Sequence, residues 1–260
     1  MGKEHVQRHV LIIGTDIDRS IGMNRRDFIK TCGTVAVASF LDASFFSNVL
    51  ANQEGFLKLY NKALLIKEDG SPITEKDILP HKEYLFFYPF TSTPCFLLNL
   101  GEEVKGVEVK LSDGKTYLWK GGVGSKKSIV AYSAICSHQW SYPTKEYAFI
   151  NYYPPDKPSG TTKKAGVIQC CAHLSVFDPK AGGKVLEGPA ELPLASVVLE
   201  EDGGKLFAVG ILGKDQFDAF FENYKTDLRK QYGSSAKAKE LVDKCIVLEV
   251  EKYVKETIRC

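Results

Sequence analysis

The stretch Val167-Ile168-Gln169-Cys170-Cys171-Ala172-His173-Leu174-Ser175-Val176-Phe177-Asp178 sets a C-x-x-H pair between two short apolar runs. A second pair, Cys136 and His138 in Ile135-Cys136-Ser137-His138-Gln139-Trp140, is spaced C-x-H, and the 31 residues 139 to 169 separate the two. Two thiolates and two imidazoles offered from short loops have two uses. One is a tetrahedral zinc site, which takes Cys2His2 sets from paired short spacings. The other is a two-iron, two-sulfur cluster in which two cysteines bind one iron and two histidines the other. Spacing alone leaves both open.

Outward from these pairs, short apolar runs alternate with turn signals from Ala63 to about Gly213. Ala63-Leu64-Leu65-Ile66 precedes Asp69-Gly70, Tyr84-Leu85-Phe86-Phe87-Tyr88 precedes Pro89, and Cys95-Phe96-Leu97-Leu98 precedes Gly101. Val107 to Leu111, Ile129 to Tyr132, Gly166 to Gln169, Ser196 to Leu199 and Leu206 to Val209 continue the series. Strands at this spacing predict a mainly β fold, an antiparallel sandwich or barrel, over residues 52–213. Both Cys/His pairs fall just after strands, so a rigid sheet aims two loops at one point. Residues 214–260 read differently. Phe217, Phe220, Phe221, Tyr224 and Leu228 recur at helical spacing, Gly233-Ser234-Ser235 breaks the run and offers an N-cap, and Leu241 to Ile258 resumes an apolar stripe. This predicts a C-terminal helical hairpin, packed on the β domain or serving as a docking surface.

Composition removes several functions. The 34 basic and 32 acidic residues nearly cancel, so no global field points to nucleic acid. Seven cysteines are too few for a disulfide scaffold in 260 residues. Cys245 and Cys260 would pair only if the last segment is not one long helix. Of five histidines, His5 and His9 lie near the N-terminus, ahead of Arg25-Arg26, and two sit in the motifs, leaving His81. An oxygenase built around such a cluster needs a further mononuclear iron with two histidines and a carboxylate. One spare histidine cannot supply it, and no catalytic acid, base or nucleophile stands out.

The N-terminal 51 residues read as a leader. Asn24-Arg25-Arg26-Asp27-Phe28-Ile29-Lys30 resembles a twin-arginine export signal, and Thr31 to Ala51 is weakly apolar. That route carries folded proteins across the membrane, which suits a chain whose cluster is assembled before export. The implied location is the periplasmic side of the cytoplasmic membrane. Val49-Leu50-Ala51 offers a cleavage site before Asn52; retention would leave the segment as an anchor. Met1 and Met23 are alternative starts.

After His173, the sequence runs through Leu174-Ser175-Val176-Phe177-Asp178 to Gly182-Gly183 and then Glu187-Gly188-Pro189-Ala190. From Val130 to Gly210 this resembles the Rieske 2Fe-2S family: two ligand loops, then a G-P-A loop covering the cluster. The resemblance favours the cluster over zinc. It implies that Cys136 and Cys170 hold the buried iron and that His138 and His173 hold the outer one. It implies that Ser175 donates a hydrogen bond to the cluster and that Gly188 and Pro189 cover it. Quinol-oxidising members also carry a tyrosine where Phe177 stands, an apolar residue at Gln139, and a disulfide between the positions of Ser141 and Ala172. The resemblance implies an electron carrier without chemistry of its own. The first setting is the iron–sulfur subunit of a quinol-oxidising bc-type respiratory complex with cytochrome b and c partners. The second is the small subunit of a periplasmic molybdenum oxidase of the arsenite oxidase kind, and the third a soluble ferredoxin-like carrier. N-terminal sequencing of the mature protein tests the leader: a terminus at Asn52 marks cleavage and rules out the anchor.

Overall fold

The apolar runs become strands, and the central ones, such as Pro94–Asn99 and Ile129–Ser133, are buried on both faces. A computed structural model describes residues 55–260; the leader, its arginine pair and the choice of start lie outside the described residues. An eight-stranded sheet runs in the order β14 (Lys244–Ile246), β1 (Leu57–Ile66), β13 (Lys205–Leu212), β12 (Ser196–Asp202), β6 (Ile129–Ser133), β3 (Pro94–Asn99), β2 (Glu83–Phe87), β15 (Leu248–Glu249). Its pairings are antiparallel except that of β14 with β1. A smaller antiparallel sheet runs β11 (Lys184–Glu187), β10 (Ser175–Asp178), β9 (Val167–Cys170), β8 (Ile150–Tyr153). The hairpin β4 (Lys105–Lys110) with β5 (Thr116–Gly121), and the parallel pair β7 (Tyr147–Ala148) with β16 (Glu256–Thr257), complete the strands.

Successive side chains of β2, β3 and β6 enter different cores. Tyr84, Phe86, Cys95, Leu97, Ile129 and Ala131 join one buried cluster. Leu85, Phe96, Leu98, Val130 and Tyr132 join another, together with Ile150, Ile168 and Phe177 of the smaller sheet. Strands buried on both sides read as continuous apolar runs, which is why Cys95-Phe96-Leu97-Leu98 shows no alternation. The second core lies between the two sheets and sets the distance between the strands that deliver the ligand loops.

The helical hairpin predicted for 214–260 is half right. Helices α1 (Phe217–Asn223) and α2 (Lys225–Tyr232) form, with Phe217, Phe220, Phe221 and Leu228 buried in the first core. Gly233, at φ 83°, ends α2, and the Ser234 side chain accepts the Lys237 N–H to start α3 (Ser235–Ala238). The long second helix does not follow. Beyond Glu240 come β14, β15, a single helical turn α4 (Val250–Tyr253), and β16. Leu65 lies opposite Cys245 and Leu85 opposite Leu248, so the segment satisfies both open edges of the large sheet. Only Val247 separates β14 from β15, which brings the ends of the strand order together and curls the sheet toward a barrel. Edge pairing and burial of Cys245 and Val247 outweigh the helical spacing of the same residues.

Cys245 stays buried and unpaired. Cys260 forms its disulfide with Cys171 instead, as the tail runs beside β7 and past β8. Along the way Ile258 N–H donates to Ala148 O (2.9 Å) and Asn151 Nδ2 to Ile258 O (2.9 Å). The Arg259 guanidinium stacks over Tyr153, 5.2 Å from the ring centre, and lies 3.5 Å from the Glu83 carboxylate.

Glu83 accepts the Tyr152 N–H at 2.7 Å from a nearly enclosed position. Burial pushes its carboxyl up from 4.5 to about 7, against the pull of that N–H and of Arg259. Between those values the folded chain keeps a proton that the unfolded chain has lost, so stability falls as pH rises through this window. Glu83→Gln should flatten that fall and raise the Tm near pH 8, by at most about 3 kcal/mol in stability. Thermal unfolding at about pH 5 and pH 8 checks it; an unchanged pH slope refutes the assignment.

Candidate metal centre

Strand β6 delivers the loop with Cys136 and His138, and β9 the loop with Cys170 and His173. The thiols are sealed, at 1% and 0% exposure, in the core between the sheets, whereas His138 is half-buried and His173 exposed. The two imidazoles meet edge to face with ring centres 4.8 Å apart. The sequence-predicted quartet is thus brought to one end of the sandwich, thiols inside and imidazoles outside.

The sulfurs sit among donors. The N–H groups of His138 and Gln139 point at Cys136; those of Ala172 and His173, with the Ser141 hydroxyl, point at Cys170. A hydrogen bond between the two thiols pushes Cys136 up and holds Cys170 below the ordinary thiol range. Donors aimed at sulfur favour the thiolate, the form that binds metal. Nothing in the sequence marked Ser141 for this part.

Among the described residues seven buried side-chain polar atoms have no hydrogen-bond partner, and two of them, Ser175 Oγ and His138 Nδ1, belong to these loops. A ring nitrogen left free is what a metal ligand requires, and a sealed hydroxyl without an acceptor needs one supplied by a bound group. Among the described residues, no three Cys, His, Asp or Glu side chains gather closely enough to hold a single metal ion. Zinc would draw all four ligands to within about 2.0–2.3 Å of one point. A thiol pair within and an imidazole pair without, beside an orphaned Ser175 hydroxyl, fit a two-iron group. Phe177 is wholly buried and offers no second hydroxyl.

Several residues hold the loops. Cys136 N–H donates to Ser141 O (2.8 Å), and Trp140 N–H to Cys136 O (2.9 Å), closing the first loop on itself. The Ser137 hydroxyl donates to Leu192 O (2.6 Å), just beyond Gly188-Pro189-Ala190. Gln216, which no sequence signal singled out, accepts from the Trp140 indole (2.6 Å) and donates to Ser137 O (3.1 Å). Each loop contains a non-glycine residue in the left-handed region, Trp140 at φ 56° and Leu174 at φ 60°. Such residues cost about 1–3 kcal/mol and persist where their surroundings over-determine them. Pro189 is exposed, and Gly188, at φ 92°, lies against the second loop so closely that a Cβ would stand 2.5 Å from Leu174 O and 2.6 Å from Ser175 Cα.

A family model described as the Rieske [2Fe-2S] domain matches residues 97–209. The chain is similar to iodate reductase subunit IdrB of Pseudomonas sp. (strain SCT), 35% identical over 195 residues, which span 74% of this chain and 80% of that protein. It is also similar to iodate reductase subunit IdrB of Denitromonas iodatirespirans, 24% identical over 74% of this chain and 82% of the other. Among solved structures, the soluble domain of Rieske protein II (soxF) from Sulfolobus acidocaldarius matches at 26% identity, over 60% of this chain and 82% of that one, with a TM-score of 0.43.

Gly188→Ala tests the close approach of Gly188 to the second loop. With a positive φ and backbone in the way, it should cost about 1–3 kcal/mol or more and displace Leu174 and Ser175. The readouts are thermal unfolding and metal bound per chain. Full metal content at wild-type Tm would show that the contact is not needed.

Proposed function

The chain belongs to the Rieske [2Fe-2S] protein family, and we propose that it is the small electron-transfer subunit of an exported oxyanion-converting oxidoreductase whose larger partner carries molybdenum. It is an iron–sulfur electron-transfer protein with one Rieske-type cluster. The observation that carries the finer reading is the match along four-fifths of a protein known as an iodate reductase subunit. Ser141 and Ala172 in place of a loop-to-loop disulfide, Phe177 and Gln139 agree with it. They also set the chain apart from the quinol-oxidising members of the bc-type reading.

In this reading Cys136 and Cys170 would hold one iron, and His138 and His173 the other. When bound, the group supplies a one-electron couple whose potential lies above that of all-cysteine clusters, because two neutral imidazoles replace two thiolates. The protein does the rest. The core between the sheets keeps water from the thiolates, backbone N–H groups and the Ser141 hydroxyl offset their charge, and Ser175 offers one more donor. His173, exposed with its chain neighbour Leu174 (41%), is where a partner would make contact. An exposed imidazole beside an apolar side chain suits brief docking with a short electron path.

Purification of the exported protein, with and without detergent, tests the setting. A co-purifying molybdopterin subunit is the expected result. Co-purifying cytochrome b would instead return the bc-type complex, and a lone protein the ferredoxin-like carrier. His138 or His173 replaced singly should abolish the Rieske electron paramagnetic resonance signal; survival of the signal in both variants refutes the ligand set. Ser175→Ala should lower the midpoint potential by about 60 mV, one hydrogen bond of ~1.4 kcal/mol in a one-electron couple. Redox titration reads this, and an unmoved potential means that Ser175 does not reach the cluster.

A further inference from the structure

Each ligand loop is fastened to the segment after Gly213, at two separate points. The first loop is held by Gln216, whose amide receives the Trp140 indole N–H at 2.6 Å and donates to Ser137 O at 3.1 Å. Gln216 immediately precedes α1, which is anchored by the buried Phe217 and Phe220. Tyr142, at the end of the same loop, packs edge-on against Phe220 and Tyr224 at 4.9 and 4.8 Å. The strained backbone at Trp140 therefore lies between a hydrogen-bonded ring and an aromatic stack.

The second loop is held by Cys260, bonded to Cys171, the residue next to ligand Cys170. The anchor is itself fixed. Gln169 Nε2 donates to Cys260 Sγ (2.9 Å), Cys260 N–H to the Tyr153 hydroxyl (2.9 Å), and Gly160 N–H and Ser159 Oγ each to Cys260 O (2.7 Å). A disulfide embedded among this many partners transmits position as well as limiting the unfolded chain. The positions that could have carried a direct link between the loops hold Ser141 and Ala172.

We propose that residues 214–260 act as a two-point clamp on the cluster, with Gln216 and Cys260 as positioning residues that replace a covalent link between the loops. The N–H groups aimed at Cys136 and Cys170 belong to residues 138, 139, 172 and 173, all within the clamped stretches. Releasing either point loosens those donors without touching a ligand. The inference rests on the cluster site and stands whichever partner subunit the chain serves.

The test uses the full-length holoprotein with Gln216→Met, which keeps length and loses both hydrogen bonds, and Cys260→Ser. Cys245→Ser, a buried free cysteine in the same segment but at neither clamp point, controls for general loss of stability. Three readouts are compared: Tm, cluster release to a chelator followed by visible absorption, and the g-values and midpoint potential of the reduced cluster. Both clamp variants should release the cluster about tenfold faster, equivalent to ~1.4 kcal/mol, and move g-values and potential. The control should leave both spectroscopic readouts in place whatever its Tm. Clamp variants that lower Tm but leave release, g-values and potential at wild-type values overturn the proposal, as do variants that change nothing. If Cys260→Ser does not fold, the disulfide of the folded wild type is opened with a phosphine and alkylated, with the cluster reduced in both arms. An unchanged spectrum after alkylation at both Cys171 and Cys260 equally overturns it.

Discussion

Two buried thiols from different sheets must be held side by side, and that requirement shapes the rest of the molecule. Cys136 follows a strand of the large sheet, Cys170 ends a strand of the small one, and 1% or less of either is exposed. Ionised sulfur in so dry a place is costly unless dipoles meet it. The donors come from the loops themselves, so the loops must be rigid, and rigidity comes from below. Tyr132, Ile168 and Phe177 fill the space between the sheets and fix the separation of the delivering strands. Tyr132 adds a hydroxyl bond to Pro179 O at 2.8 Å, pinning the turn that follows the second loop's strand.

The same requirement explains what the sequence made legible. Strands buried on both faces leave long apolar runs, and ligand pairs at strand ends leave short fixed spacings. Both are local patterns, so the β fold and the pairing of the Cys/His loops could be read directly. The orphaned hydroxyl of Ser175 is what its expected part in hydrogen bonding to a bound group would leave.

What the sequence concealed depends on distant partners. Leu241, Val242, Cys245, Ile246, Val250, Tyr253, Val254 and Ile258 satisfy a helical period. Yet Cys245 and Val247 also alternate with exposed Ile246, and the open edges of β1 and β2 lie within reach. Backbone pairing along an exposed edge satisfies groups that would otherwise face solvent or another chain, and local periodicity carries no record of it. The disulfide was hidden for the same reason: Cys171 and Cys260 are 89 residues apart, and only the strand order makes them neighbours. Gln216 is one polar residue among many until the fold places it beneath Trp140.

The segment after Gly213 thus has two tasks that pull on one another. It closes the large sheet through β14 and β15, and it holds both ligand loops through Gln216 and Cys260. A covalent bond between the loops would fix their spacing locally and leave the rest of the chain free to vary. Clamping each loop to the barrel's closing segment instead couples the cluster's surroundings to closure of the whole fold. A carrier built this way gains a rigid centre without a bridge across the tip. In the proposed reading, the exposed side of His173 and its neighbour Leu174 then remain open to the protein that receives or supplies the electron.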